Sequence, residues 1–404
     1  MSDRDPGPLH RDWASARSEA ARETLRRMVA HVGGKTTDLA PAPMPLDRGV
    51  YIDPVRFAAE CEHLFLGGPV VAGLSGDVSG PGDYLVFDAA GPSILVMRGK
   101  DGVARAFLNM CTHRGARLVE EVEPFAGKAP RLTCPFHAWT FDAAGQLIGQ
   151  PSKQSFAGCE IGARNLIELP CAEHLGLIFV RPGGGEPIDA EGHLGPMAAV
   201  LAMIELHRAV PVKKGVLTAA SNWKFALDTY GEGYHFQMLH ASTIGQTHYN
   251  DVAVFQPYGR HHRVGFPDKS IGDLVEQDEC AWPLTEYGGV HYVFPNTVIF
   301  FGSLAPGVNF TQVFRLFPDG VGGTRCQFAV YAPFGIGSEE YRATVEMAYD
   351  ATAEVVQAED YRVASHGYAN LLTAPEGFQS VLGANEIALQ AVQRHIGEAI
   401  GMPL

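Results

Sequence analysis

The sequence predicts an α+β fold: a first half built of strands, and a second half in which a run of strands gives way to long helices. Two observations carry this. Between about residues 50 and 184, short apolar runs (YLVF, SILVM, ARAFLN, LGLIFV) alternate with Gly, Pro and Asp turns. After residue 290, three strand-like stretches precede a long helical pattern at about 338–366 and a last one near 383–400.

The elements follow in order. Residues 15–32 (SARSEAARETLRRMVAHV) are helix-forming, with Gly33-Gly34 as the stop. LAPAPMPL (39–46) is a proline-rich linker. The β-rich block ends at RPGGGEP (181–187), a flexible connection. MAAVLAMIEL then reads as helix and VKKGVLTAA as strand. HYVFPNTVIFFG, GVNFTQVFRLF and TRCQFAVYAPF read as three consecutive strands separated by turns. There is no internal repeat and no low-complexity tract.

Composition limits the function. The chain has 404 residues, which suggests two domains or one large elaborated one. It is 46% hydrophobic and 19% charged, with a net charge of −14. That charge argues against nucleic acid or an anionic membrane as partner. No apolar run approaches the ~20 residues of a membrane span, and the first residues, MSDRDPGPLH, lack the apolar core of a signal peptide. Seven scattered cysteines do not form a disulfide framework, so a cytoplasmic, thiol-reduced location is expected. Paired cysteines there read as metal ligands.

Two of them are so placed. Cys111-Thr-His113 and Cys134-Pro-Phe-His137 each offer one thiol and one imidazole. Soft thiolates and borderline imidazoles suit zinc or an iron–sulfur cluster. Two cysteines on one iron and two histidines on the other describe a Rieske [2Fe–2S] centre, and the same four ligands also suit a structural zinc. A second constellation lies in NWKFALDTYGEGYHFQMLH (222–240). Two imidazoles and a carboxylate on one face of an octahedron bind Fe(II) and leave positions for O₂. His235 and His240 are five residues apart, about 140° around a regular α-helix, so a π-bulge or a broken turn is expected between them. Glu232, three residues before His235, is placed to orient it through its ring N–H. Asp228 either supports this site or is solvated. Tyr234 fits core packing or a hydrogen bond to the site equally well.

The run 109–149 resembles the cluster-binding region of Rieske non-haem iron oxygenases, roughly C-x-H-R-G…C-P-Y/F-H-G-W, and 222–240 resembles their N-W-K…D/E-x-Y-H-x4-H iron motif. Two departures stand beside the ligands: Ala138 where Gly is usual, and a longer loop between the pairs. Ala116 and Phe136 replace the extra disulfide of respiratory Rieske proteins. The resemblance extends from about residue 50 to the last helix and implies the catalytic α subunit. It implies a Rieske domain over 47–184 and a catalytic domain over 185–404. The latter would be a helix-grip fold, an antiparallel sheet around a long helix, with residues 1–46 packed on it. The third iron ligand would be Asp360, with Glu359 as runner-up and Asp350 and Glu354 as solvated helix charges. Glu232, usually Asp in the family, would bridge an iron histidine to a cluster histidine across a subunit boundary. Some members acting on quaternary ammonium compounds also carry Glu there.

The implied reaction uses electrons from NAD(P)H, passed by a flavin reductase or ferredoxin through the cluster to Fe(II), to insert O₂-derived oxygen into a small molecule. A homotrimer is implied, as α₃ or as α₃β₃ with a small subunit. The strand residues, rich in Phe, Tyr and Val, suit an apolar, aromatic substrate that is hydroxylated or dihydroxylated. The alternative is a monooxygenase performing N- or O-demethylation or C–H hydroxylation, with the aromatics caging a quaternary ammonium. A simple Rieske electron carrier would lack the second metal motif. Cys61, Cys159, Cys171, Cys280 and Cys326 are expected to be buried as small hydrophobes. His261-His262 is expected to be a surface pair, and His291 could face the pocket.

Overall fold

The computed structural model of the chain describes residues 8–88, 90–120, 126–158, 164–283, 288–305 and 308–404. Cys159 lies outside them.

Between residues 70 and 180 the described chain forms three antiparallel sheets. The largest has the order Glu168–Leu169, Ala104–Leu108, Ile94–Arg98, Asp83–Phe87, Ala126–Lys128. Its central strand, ILVMR, is buried on both faces, which explains an apolar run without alternation. A second sheet pairs Cys171–His174, Leu177–Val180 and Val70–Leu74; a third pairs Arg131–Thr133, Thr140–Asp142 and Leu147–Gly149. The Cys111 loop leaves the end of Ala104–Leu108, and the Cys134 loop leaves Arg131–Thr133.

The second half holds a seven-stranded antiparallel sheet. Its order is Val210–Ala219, Thr324–Ala332, Val308–Pro318, Thr297–Ala305, Gly289–Val293, His261–Gly265, Val254–Tyr258. HYVFPNTVIFFG is therefore not one strand but a hairpin. Pro295 has no N–H to give a ladder, and the Asn296 side chain donates to Leu316 O at 2.8 Å instead, so the chain turns there. The strands at 254–258 and 261–265 carry Gln, Pro, Arg and two His, and apolar periodicity gave no sign of them.

Helices close one face of this sheet. The longest begins at Ser338, whose side chain accepts from Tyr341 N, with Glu339 and Glu340 in the first turn, where acids suit the helix dipole. It runs Glu339–Val355, passes through one π-helical turn at Val356–Asp360, and continues as Tyr361–Thr373. Phe314, Phe328 and Tyr349 stack in series from sheet to helix, with centroids 4.3 and 4.4 Å apart. The last helix, Ile387–Ala399, falls where the pattern placed it. The N-terminal helix, Pro8–Gly34, is longer than expected and lies against the sheet's edge, with Leu25 and Val29 packed on Leu274. No described helix is long and apolar enough to cross a membrane.

One buried ion pair joins the halves. Glu60, at the end of the helix Pro54–Glu60, accepts from Lys224 Nζ and, at 2.9 Å, from Trp223 Nε1. Glu60 is fully buried and Lys224 is 1% exposed. Arg56 lies 3.5 Å from the same carboxylate and donates to Met402 O at 2.8 Å, fastening the C-terminal residues to the same point. The preceding Asn222 caps the helix Trp223–Asp228 by accepting from Lys224 N, and donates to Val321 O at 3.0 Å. The Asn-Trp-Lys triplet thus fixes where the iron-motif segment starts. Phe65 meets Trp223 edge-on at 5.0 Å, continuing one hydrophobic core across both halves.

Glu60→Ala should cost about 3–5 kcal/mol of unfolding free energy in urea titrations, because it strands a buried ammonium. The double variant Glu60→Leu/Lys224→Met should cost clearly less. Equal losses for the two would show that the pair itself, not the stranded charge, sets the cost.

Candidate metal centres

The two cysteine loops are the same turn. In the first, Cys111 N donates to Ala116 O at 2.8 Å and Gly115 N to Cys111 O at 2.9 Å. In the second, Cys134 N donates to Trp139 O at 2.8 Å and Ala138 N to Cys134 O at 3.0 Å. In each, the fourth residue after cysteine is left-handed, Gly115 at φ 81° and Ala138 at φ 56°. That position explains why glycine is usual at 138; alanine there bears roughly 1–2 kcal/mol of strain. Asn109, which the motif reading passed over, ties the base of the first loop. Its side chain accepts from Leu118 N and Val119 N, both at 3.1 Å, and donates to Val119 O at 2.8 Å.

Cys111 and Cys134 are buried. Burial pushes the Cys111 thiol up to about 11, with Cys134 as neighbour. His113 and His137 have ring centroids 4.8 Å apart, and their Nδ1 atoms are buried with no hydrogen-bond partner. His113 lies flat on Trp139 at 4.8 Å, and Phe136 covers His137 at 3.7 Å. Two thiols and two unpartnered Nδ1 atoms suit a [2Fe–2S] cluster. A single tetrahedral zinc would need all four atoms about one point. Among the described residues, the group that brings three ligand atoms within 4.8 Å of one another is His235, His240 and Asp360.

That second site is made by a broken turn and a π-turn. After the helix Trp223–Asp228 the chain unwinds, and residues 234–243 are turns. Gly245 N donates to His240 O, an i→i+5 bond of 2.9 Å, and no regular helix runs from 235 to 240. His235 Nε2 and His240 Nε2 thereby come 3.1 Å apart. Asp360 Oδ1 lies 3.2 Å from His240 Nε2 and 3.6 Å from His235 Nε2, and is buried without a hydrogen-bond donor. Metal bonds of about 2.1 Å at right angles put ligand atoms about 3.0 Å apart, so the three atoms fit one ion on one face.

A carboxylate stands behind each imidazole. Glu232 accepts from His235 Nδ1. Glu359, weighed from sequence as a rival ligand, instead lies 2.5 Å from His240 Nδ1, with Thr243 Oγ1 donating to it at 3.2 Å. The π-turn sets Glu359 and Asp360 on opposite sides of His240. These bonds fix both rings with Nε2 toward the shared point. Burial opposes charging His235, but Asp360 and Glu232 outweigh it and raise its pKa to about 9. Burial likewise opposes charge on Asp360, and the two imidazoles still pull its carboxyl below the usual range. The site favours positive charge at its centre.

Other candidates fall elsewhere. Asp228 touches neither iron histidine; it accepts from Tyr51 Oη at 2.6 Å and Gln393 Nε2 at 3.1 Å. Tyr234 is 60% exposed, so it neither packs in the core nor holds the site through its hydroxyl. Asp350 pairs with Lys213 at the surface, and Glu354 is exposed, as expected. His261 and His262 are buried, not a surface pair. His261 bonds His193 O and Phe294 N, and His262 lies over Tyr292 at 4.9 Å, because their strand is inside the sheet. Cys326 is buried, Cys61 and Cys171 are half-buried, and Cys280 is exposed.

A small cavity of about 20 Å³, room for one water, lies between the sheet and the C-terminal helix, walled by Asp228, Tyr230, His262, Tyr292, Leu389 and Val392 among others. Val290 and Tyr292 line it, so the intervening His291 points to the other face of its strand. Tyr230 on its wall has its hydroxyl 2.9 Å from that of Tyr361, the residue after Asp360; the triad itself does not line the cavity.

Two family models match the chain: "Ring hydroxylating alpha subunit (catalytic domain)" over 206–401 and "Rieske [2Fe-2S] domain" over 68–170. The glycine betaine monooxygenase oxygenase subunit of Chromohalobacter salexigens is 28% identical over 201 residues, 49% of this chain and 44% of that protein. The carnitine monooxygenase oxygenase subunit of Escherichia coli K12 is 31% identical over 194 residues, 47% of this chain and 50% of that protein. The matches thus span about half the length of these curated relatives. The crystal structure of the quaternary ammonium Rieske monooxygenase CntA with L-carnitine has the same fold, with a TM-score of 0.72 at 21% identity, covering 88% of this chain and 95% of that one.

Glu359→Ala should weaken Fe(II) binding about 10–100-fold in a chelator-competition titration, while visible absorption from the cysteine loops is unchanged. Unaltered iron affinity would reduce Glu359 to a bystander. Cys134→Ser should remove the visible absorption and leave Fe(II) binding at His235 and His240 intact.

Proposed function

We propose a function that proceeds from one premise: the chain belongs to the Rieske non-haem iron oxygenase α subunits. Within that family, it is a monooxygenase that hydroxylates or N-dealkylates a small quaternary ammonium compound or a related amine. The observation that carries this reading is the triad of Nε2, Nε2 and Oδ1 atoms, with two aromatic side chains, Tyr361 next to Asp360 and its hydrogen-bond partner Tyr230, on the neighbouring turn. Aromatic faces attract an alkylated ammonium through cation–π contacts. The names of the relatives and the glutamate at 232 lend support. Ring hydroxylation of an apolar aromatic is the second reading, favoured by the Phe and Val content of the sheet.

Bound at these sites, the cluster would supply electrons one at a time and ferrous iron would supply the place where O₂ is activated. Cys111, His113, Cys134 and His137 would hold the cluster, and His235, His240 and Asp360 the iron. The cluster unit would span 47–184 and the catalytic unit 185–404, with 1–46 packed on the latter. Glu232 and Glu359 hold the iron imidazoles in one tautomer.

Electrons would come from NAD(P)H through a flavin reductase or ferredoxin. The assembly would be a homotrimer, as α₃ or α₃β₃, in the cytoplasm. Glu232 would carry the contact between His235 and a cluster histidine of a neighbouring copy. Tyr234 and Met238 beside Glu232, and Phe136 beside His137, are exposed large apolar side chains that such an assembly would cover.

Single turnover with ¹⁸O₂ and a panel of ammonium compounds should place one labelled oxygen in the organic products, with any formaldehyde trapped before exchange. Two labelled oxygens in one product would overturn monooxygenation in favour of dihydroxylation. Glu232→Ala should retain both metals and lose turnover; full activity would remove its bridging role.

A further inference from the structure

Two phenols sit close to the triad along the chain. Tyr361 follows Asp360 directly, and Tyr230 stands five residues before His235. Each is joined to a proposed iron ligand by a short covalent path. Their hydroxyls lie 2.9 Å apart, and Tyr361 is 1% exposed. From Tyr230 the rings continue as a series. Tyr230 meets Phe314 at 4.9 Å between centroids, Phe314 stacks on Phe328 at 4.3 Å, and Phe328 stacks on Tyr349 at 4.4 Å. Each step brings neighbouring rings into contact. Tyr349 ends the series beside Val210–Ala219, the edge strand of the seven-stranded sheet. Lys213 Nζ of that strand lies 5.2 Å from the Tyr349 ring centroid and is paired with the exposed Asp350.

Packing alone does not ask for phenols. Phenylalanine would fill the same space, and a buried hydroxyl costs free energy unless it is bonded. At the outer end, a Cβ at position 215 would strike the Tyr349 hydroxyl, and the chain has glycine there, inside a strand that glycine weakens. What a phenol adds to a benzene ring is the ability to give up an electron together with a proton. Without substrate, peroxide at an O₂-activating site attacks the ligand imidazoles unless electrons arrive from elsewhere.

We infer that Tyr361, Tyr230 and Tyr349 form an escape route that carries oxidising equivalents from the iron site to the edge of the sheet. This rests on the iron site proposed above and adds a protective function to it. With hydrogen peroxide as the oxidant the step balances. Peroxide takes two electrons and two protons and becomes two waters. Ferrous iron gives one electron and becomes ferric. Tyr349 gives the other electron with its hydroxyl proton, and the second proton comes from water. The inner phenols relay the electron, and Phe314 and Phe328 bridge the gap across which it tunnels. A small-molecule thiol restores Tyr349 by giving up one hydrogen atom.

The test mixes the full-length, metal-loaded, ferrous chain with hydrogen peroxide, without substrate, and freezes it for EPR. Wild type should show a tyrosyl radical alongside ferric iron. Tyr349→Phe should lose that radical and gain oxygen adducts on His235 and His240 in peptide mass spectrometry, with its Fe(II) affinity before peroxide unchanged. Tyr230→Phe should behave in the same way; should it fail to fold, Tyr349→Phe decides alone. An equal radical yield in Tyr349→Phe would overturn the route. So would ferric iron without any radical in wild type, a result that leaves the iron site standing. Sulfur oxygenation of the buried Cys326, beside both inner phenols, in place of the radical would end the route in the core and overturn it too. Failure to bind Fe(II) at His235 and His240 would overturn the site and the route together.

Discussion

The structure depends on one encounter, the approach of two imidazole nitrogens to 3.1 Å across five residues of chain. A regular helix cannot bring them together, so the helix must end before His235 and must be prevented from re-forming. The Asn222 cap and the Lys224–Glu60 pair fix the start of the segment, and an i→i+5 turn closes its end. Two nitrogens so close repel unless something positive lies between them or a carboxylate holds each ring from behind. Glu232 and Glu359 do the second, and Asp360 completes the demand for the first.

The long helix shows the same logic from the other side. On an unbroken α-helix, Glu359 and Asp360 would point about 100° apart. The π-turn at 356–360 opens that stretch so that one carboxylate reaches Nδ1 and the other Nε2 of a single histidine. This explains the limit of the sequence reading here. Adjacent acids on a helix name two candidate ligands, but which is ligand and which is support depends on a local unwinding that leaves no compositional trace.

The cysteine–histidine pairs and the broken turn were legible because metal chemistry demands particular atoms at particular spacings. The fold class was legible for a different reason, since apolar runs between turn residues mark strands even when their pairing is unknown. Failures fell where burial is bought with polar residues. His261 and His262 looked like surface because two histidines in a row seldom enter a core, yet each ring is packed or bonded inside the sheet. The same strand was missed altogether. Phe294-Pro295-Asn296 was read through as continuous strand because the flanking residues are strongly β-forming on both sides. Asn109 and Thr243 act through hydrogen bonds to backbone and carboxylate, and single polar residues of that kind carry no signature.

The matching turns of the cysteine loops bear on how this protein can drift. Both place left-handed backbone at the fourth position beyond the thiol, but the first spends a glycine there and the second an alanine. The first loop keeps slack; the second has already used its tolerance. β-Branched replacements at 138 would be rejected on conformational grounds before any contact with the cluster mattered. Of the two halves of the clamp, the one containing Trp139 is the side on which inheritance has the least room to experiment.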